Sequence, residues 1–281
     1  MYSHALNDSL NPRNLVRLHK WRSDFRKAHP HMFGTIGTMI FCGGQGKGKT
    51  LSGVNYVCNT LRDYPFAILV TNVAIEDYPF NTGYSVRKDG SVVLYDLVTK
   101  DVVTSADIVS GKFKKVCIEY DGLDTLKYVG NGEYGVLYFI DELHLELNSL
   151  ESKNIDIDVM VEISQQRKQR KHIVGTSQVY MRLAKPLREQ IFDVIICNNF
   201  FHCLQYNIAI DGETAKEVDG KLQATIKSRH FFFHTPEMYE RYDTFAKMKR
   251  YNKEWQGHKR ESPDVYKLDR SVYQCQKSIK S

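Results

Sequence analysis

The sequence predicts an α/β fold, a mostly parallel sheet flanked by helices, and three observations lead there. Short apolar runs alternate with amphipathic stretches along most of the chain, the pattern of strands joined through helices. Residues Gly43 to Thr50 read Gly-Gly-Gln-Gly-Lys-Gly-Lys-Thr, a complete G-x-x-x-x-G-K-[ST] loop. It lies between the apolar run Met39-Ile40-Phe41-Cys42 and a helix-like stretch beginning at Leu51. A third run, Val136-Leu137-Tyr138-Phe139-Ile140, is apolar throughout and ends in Asp141-Glu142, as a parallel strand buried on both faces would.

The elements follow in order. Leu15, Leu18, Trp21 and Phe25 recur at spacings of three and four within Asn11 to Ala28, with Arg and Lys between them. That spacing predicts an amphipathic helix, and Pro30 follows its end. A strand over Thr35 to Cys42, the loop, and a helix from Thr50 to about Arg62 come next, stopped by Tyr64-Pro65. Phe66 to Val73 reads as a second strand ending in Thr71-Asn72. The pattern then loosens. Tyr84 to Asp101 alternates around Asp89-Gly90, a hairpin signal, and residues 74–133 are read as a β-rich insertion on the core.

Order returns with the strand at Val136, a helix over Asp156 to Arg170, and a strand His172 to Thr176 finishing at Ser177-Gln178. A helix Val179 to Leu187, a strand Ile191 to Cys197 and the run Phe201 to Ile210 follow. Asp211-Gly212 marks a turn, with a return strand near Leu222 to Ile226. Beyond Pro236 the chain is polar, helical in pattern and basic. Three parts emerge: a basic N-terminal helix (1–30), a core domain (31–239) and a basic C-terminal tail (240–281).

Composition narrows the class. Apolar residues make up 42% and charged residues 26% of the 281 residues, both globular values that exclude wholesale disorder. The apolar runs at Phe66, Val136 and Val194 fall far short of the roughly 18 residues a membrane helix needs, so a soluble chain is expected. The N-terminus carries no apolar signal segment, which points to the cytoplasm. Six cysteines form no C-x-x-C pair and read as reduced thiols. Cys197, Cys203, His230 and His234 could form a zinc site only at a spacing that matches no standard finger.

The net charge is +6, from 39 Lys and Arg against 33 Asp and Glu, and the excess gathers near both ends. Arg13, Arg17, Lys20, Arg22, Arg26 and Lys27 crowd the first segment; Lys247, Lys249, Arg250, Lys253, Lys259 and Arg260 crowd the last. Basic surfaces attract polyanions by releasing counterions, so DNA is a natural partner. Solvated helix faces are the plainer reading of the same charges.

The loop carries the chemistry. Backbone N–H groups of Gly43, Gly44, Gln45, Gly46, Lys47, Gly48, Lys49, Thr50 and Leu51 are placed to surround the phosphates of ATP at a helix N-terminus. In such loops the lysine, here Lys49, reaches the β and γ phosphates, and the following hydroxyl, Thr50, helps hold Mg²⁺. A second metal ligand must come from a carboxylate ending a neighbouring buried strand, which is Asp141, and Glu142 beside it becomes the general base. Gln178, at the tip of the following strand, can sense the γ-phosphate or position water, with Thr176 and Ser177 contributing. An arginine from a neighbouring subunit often supplies further positive charge. Arg188 is the first choice, with Arg167 and Arg170 behind it.

Four pieces in this order, Gly43 to Thr50, Thr71-Asn72-Val73, Ile140-Asp141-Glu142 and Thr176-Ser177-Gln178, resemble the zonula occludens toxin family of phage ATPases, which includes the filamentous-phage assembly ATPases. That family sits in the FtsK/HerA superfamily of DNA-pumping motors, with viral packaging and conjugation ATPases. The resemblance covers roughly residues 34 to 200. It implies a RecA/FtsK-like P-loop NTPase core, a homo-oligomeric ring, and a capsid or membrane protein as docking partner. Filamentous-phage relatives carry a membrane span after the ATPase domain, and this sequence has none. A motor that packages viral DNA therefore fits better than an extrusion ATPase. A nucleotide-gated assembly scaffold is a second class. A helicase is a third, suggested by Asp141-Glu142-Leu143-His144, but only one phosphate loop is present.

Overall fold

A computed structural model of the protein describes residues 12–35, 37–150, 155–218 and 221–242. Six strands form the parallel heart of the sheet: β1 (Gly37–Cys42), β2 (Ile68–Thr71), β6 (Cys117–Glu119), β7 (Val136–Ile140), β8 (Lys171–Ser177) and β9 (Ile191–Phe200). At one flank β3 (Thr82–Val86) pairs β6 in parallel and continues into antiparallel β4 (Val92–Asp96) and β5 (Val102–Val103). At the other, β10 (Leu204–Asp211) and β13 (Ile226–Phe233) add antiparallel strands to β9. The order is β13-β10-β9-β1-β8-β7-β2-β6-β3-β4-β5. A separate hairpin joins β11 (Lys216–Val218) to β12 (Lys221–Gln223).

Side chains alternate across a strand, so each apolar strand feeds two cores. Ile40, Val70, Tyr138, Ile140 and Ile173 belong to one cluster; Phe41, Leu69, Leu137, Phe139 and Val174 belong to the other. Among the described residues three longer helices are α1 (Pro12–Ala28), α2 (Lys49–Asp63) and α3 (Ile157–Gln165). Helix α2 lays Leu51, Val54, Val57 and Leu61 on the second cluster, while α3 lays Val159 and Ile163 on the first. Both faces are thus covered, as burial of continuous apolar strands requires. Gly53 permits the close approach of α2, because a Cβ there would stand 2.6 Å from the Phe139 ring.

The structure corrects several expectations. Within segment 74–133, β3, β4 and β5 extend one flank of the sheet, and β6, which the sequence did not single out, lies parallel against β2, Leu69 opposite Cys117. A three-residue strand is too short to announce itself by periodicity. The helix expected over Val179 to Leu187 is a 3₁₀ turn (Tyr180–Arg182), an extended Leu183 and a short helix (Lys185–Arg188). Pro186 is tolerated because it falls in the first turn of that last helix. The helix after Asp156 ends at Gln165, five residues early, and Arg170 turns into β8 with φ +55°. The return strand near Leu222 resolves into the β11–β12 hairpin and the long edge strand β13. The terminal basic cluster, Lys247 to Arg260, lies outside the described residues. Among the described residues no helix is long and apolar enough to cross a membrane.

Candidate nucleotide site

The loop from Gly43 to Thr50 leaves the carboxyl end of β1 and enters α2. Gly46 and Gly48 take left-handed φ values of +74° and +76°, which only glycine adopts freely. Gly48 precedes the first helical residue and offers no side-chain cap, leaving the initial α2 amides for an anion. Lys49 is buried, and its ammonium donates to the Gly44 carbonyl at 3.2 Å, folding the loop around it.

Asp141 and Glu142 leave the carboxyl end of β7. That strand is not the direct neighbour of β1, as expected from the sequence; β8 runs between them. Register still brings the tips together, since Gly175 of β8 pairs Ile40 on one side and Ile140 on the other. Thr50 Oγ1 donates to the Asp141 carboxylate, 3.0 and 3.2 Å from its two oxygens. Thr176 Oγ1 donates to the same carboxylate at 2.6 Å and accepts the Glu142 N–H at 2.8 Å. Just past the end of β2, Asn72 clamps the Asp141 backbone: its amide donates to the carbonyl at 3.1 Å and its oxygen accepts the N–H at 2.9 Å.

Burial raises the Asp141 carboxyl above its ordinary range, and the Thr176 and Thr50 hydroxyls pull it part of the way back. A cation there would offset the same desolvation. Hard oxygen donors, one hydroxyl and one carboxylate beside a phosphate loop, suit Mg²⁺. Glu142 has φ +54°, unusual for a residue with a Cβ. Its Oε2 lies 3.2 Å from His144 Nδ1 without hydrogen-bond alignment, and among the described residues neither of these buried atoms has a hydrogen-bond partner. Backbone strain and unpaired polar atoms gather at functional positions.

Gln178 is exposed at the tip of β8 and lines a shallow cavity of about 180 Å³ with Cys42, Gly43 and Tyr180. Arg188 is half-buried: its guanidinium contacts Met181 Sδ and sits over the Tyr180 ring at 5.9 Å. Arg167 and Arg170 precede β8, which puts a whole strand, about 20 Å, between them and Gln178. These two fallback arginines therefore stand at the end of the sheet away from the loop. The four zinc candidates are engaged separately: Cys197 is buried, Cys203 exposed, His230 bonds Ser228 and His234 bonds Tyr239 and Gln205. Among the described residues no group of three or more His, Cys, Asp or Glu side chains is arranged to hold a metal ion.

Sequence reasoning missed the brace beneath the loop. Gln205 of β10, fully buried, donates through Nε2 to Lys47 O at 3.0 Å and Asn207 Oδ1 at 2.8 Å. Asn207 in turn donates to Ser52 Oγ in α2, and His234 contacts Gln205 Oε1 at 3.1 Å. A Cβ at Gly48 would stand 2.2 Å from Gln205 Oε1. Two polar residues alternating on an apolar strand, Gln205 and Asn207, are the only signal for this brace in the sequence. Arg182, exposed near His144, was likewise overlooked; its charge helps push the His144 pKa down, after burial.

No protein-family profile matches the sequence, and no curated protein matches it. Among solved structures, the N-terminal domain of zonular occludens toxin from Neisseria meningitidis is similar over 75% of this chain and 100% of that one, at 13% identity and a TM-score of 0.47. The genome packaging NTPase B204 from Sulfolobus turreted icosahedral virus 2, in complex with ATP-gammaS, is similar over 68% and 96%, at 11% identity and 0.43. The flagellar accessory protein FlaH from Methanocaldococcus jannaschii is similar over 71% and 86%, at 13% identity and 0.38. The first two fall in the groups that the motifs resemble. At such identities and TM-scores these likenesses assign no activity.

Proposed function

We propose that this chain is a Mg²⁺-dependent ATPase that moves DNA, with viral genome packaging as its task. The observation that carries the enzymatic part is the hydrogen bond from Thr50 to Asp141, which ties the phosphate loop to the acid pair across an intervening strand. A bare phosphate-binding module has no use for a second carboxylate beside that contact.

Lys49 would leave the Gly44 carbonyl for the β and γ phosphates, while the α2 amides take up their remaining charge. Thr50 and Asp141 would hold Mg²⁺, which when bound neutralises charge developing on the transferred phosphoryl group. Glu142 would accept a proton from the attacking water as the bond to the β-phosphate oxygen breaks, and Gln178 would contact the γ-phosphate. Arg188 would need to leave Tyr180 to act on a neighbouring subunit's nucleotide in a ring.

DNA as substrate is supported by the basic ends of the chain and by the motif resemblance. The test is phosphate release with and without duplex DNA. Lys49→Ala should abolish turnover. Hydrolysis indifferent to single- or double-stranded DNA would refute translocation, and assembly with ATP but no phosphate release would favour the scaffold.

A further inference from the structure

We propose that α1 is a docking helix for an anionic lipid surface, holding the protein to a membrane. Leu15, Leu18, Trp21 and Phe25 share one face of α1, and the first three are 71%, 41% and 60% exposed. Trp21 stacks on Phe25 with ring centroids 5.3 Å apart, and Phe25 packs on His29 at 4.6 Å. Lys20 and Lys27 are exposed on the far side together with Val16; Arg17 and Arg26 flank the stripe, and Arg22 lies between Leu15 and Leu18. Between Pro12 and Ala28 six Arg and Lys residues face one acid, Asp24.

A helix with aromatic and aliphatic residues on one side and Arg and Lys on the other lies flat in a headgroup layer. Its long cationic side chains reach the phosphates while their stems stay apolar. Anchoring to the body fits this use. His29 Nδ1 lies 2.7 Å from Glu133 Oε2, and the Phe33 N–H donates to the Glu133 carbonyl at 2.9 Å. Glu133 precedes β7 at the end of the sheet opposite Asp141 and the phosphate loop. Exposed Arg167 and Lys168, before β8, share that end. Docking there would leave the nucleotide end facing away from the lipid.

Charge chooses the occupant. A second copy of α1 laid on the first would bring two sets of like charges together, with one acid in each to relieve them. A phosphate backbone would satisfy the cations and leave Leu15, Leu18 and Trp21 in water. An anionic bilayer takes the apolar stripe and, through its phosphates, the adjoining Arg17, Arg22 and Arg26 at once.

The experiment uses the full chain with phosphatidylcholine vesicles, with or without an equal part of phosphatidylglycerol. Binding should require the anionic lipid and fall at high salt, and in a Trp255→Phe background the Trp21 emission should shift to the blue. The combined variant Leu15→Ser, Leu18→Ser, Trp21→Ser should lose about ten-fold in vesicle affinity, and Arg17→Glu with Arg26→Glu at least as much. An unchanged thermal melt shows that the variants fold. Equal binding to neutral vesicles, no binding, or full binding by the serine variant would each overturn the proposal. So would a serine variant that changes oligomeric state or DNA affinity while keeping vesicle affinity, which would make the stripe a contact between copies or with nucleic acid. ATP hydrolysis enters none of these readouts, so the outcome is separate from that of the ATPase reading.

Discussion

Replacing Thr176 by valine removes one hydroxyl and almost no volume, from a side chain with no exposed surface. That hydroxyl makes two bonds, one to the Asp141 carboxylate and one from the Glu142 N–H. A hydrogen bond to a charged group contributes about 1.5–3 kcal/mol, and stranding a partly buried N–H costs about 1–3 kcal/mol. Taking the lower part of each range, Thr176→Val should destabilise the fold by about 3 kcal/mol, a large share of the roughly 5–15 kcal/mol typical of a domain. In a chain of this size that is a fall of about 6–12 °C in melting temperature. The same bond holds Glu142 in its left-handed conformation, which itself costs about 1–2 kcal/mol. Freed from it, the carboxylate should move, and phosphate release should slow at least about ten-fold with little change in KM for ATP. Thr176→Ser keeps the hydroxyl and should restore most of both. Urea denaturation followed by circular dichroism, paired with steady-state ATPase rates, reads the two effects. A stability change below about 1 kcal/mol together with an unchanged rate would mean that the bonds through Thr176 hold nothing in place.

Three more outcomes are expected. Glu142→Gln should bind ATP as the unmodified chain does yet hydrolyse it about 10²–10⁴-fold more slowly, and near-normal single-turnover rates would remove Glu142 from the chemistry. Gln205→Leu should weaken ATP about ten-fold by releasing the Lys47 carbonyl, with the maximal rate less affected; calorimetric titration showing unchanged affinity would reduce Gln205 to a packing residue. His172 donates to the Gly37 carbonyl and accepts from Tyr56, and burial pushes its pKa down to about 4 from 6.5. The unfolded chain therefore binds the extra proton first. Its contribution is fully present above pH 6.5 and is lost as pH falls to about 4, up to about 3 kcal/mol. His172→Gln should flatten that limb of the stability profile, and an identical acid transition in the variant would assign it to other groups.

Local chemistry was legible where it is written in contiguous residues. Gly43 to Thr50 needs left-handed glycines at fixed places and a lysine and hydroxyl at its end, all within eight positions of the chain. Val136 to Ile140 with Asp141-Glu142 is equally local, because burial on both faces demands an unbroken apolar run. The helix over Val179 to Leu187 failed because its apolar spacing is helical while Pro186 and the chain's need to descend from the tip of β8 to the start of β9 break it. Strand β6 failed because three residues carry no period.

By itself, then, the sequence determined the loop, the acid pair, the apolar strands and the unequal spread of positive charge, since each depends on residues adjacent or one helical turn apart. Only the tertiary structure decided which strand lies between the loop and the acids, that Asn72 and Thr176 hold Asp141 from the ends of two other strands, and that Gln205 supports the loop from 158 positions away. Contacts of that kind arise from strand order and register. Pairing energies that differ little from one strand to another set the order only once the whole core has closed.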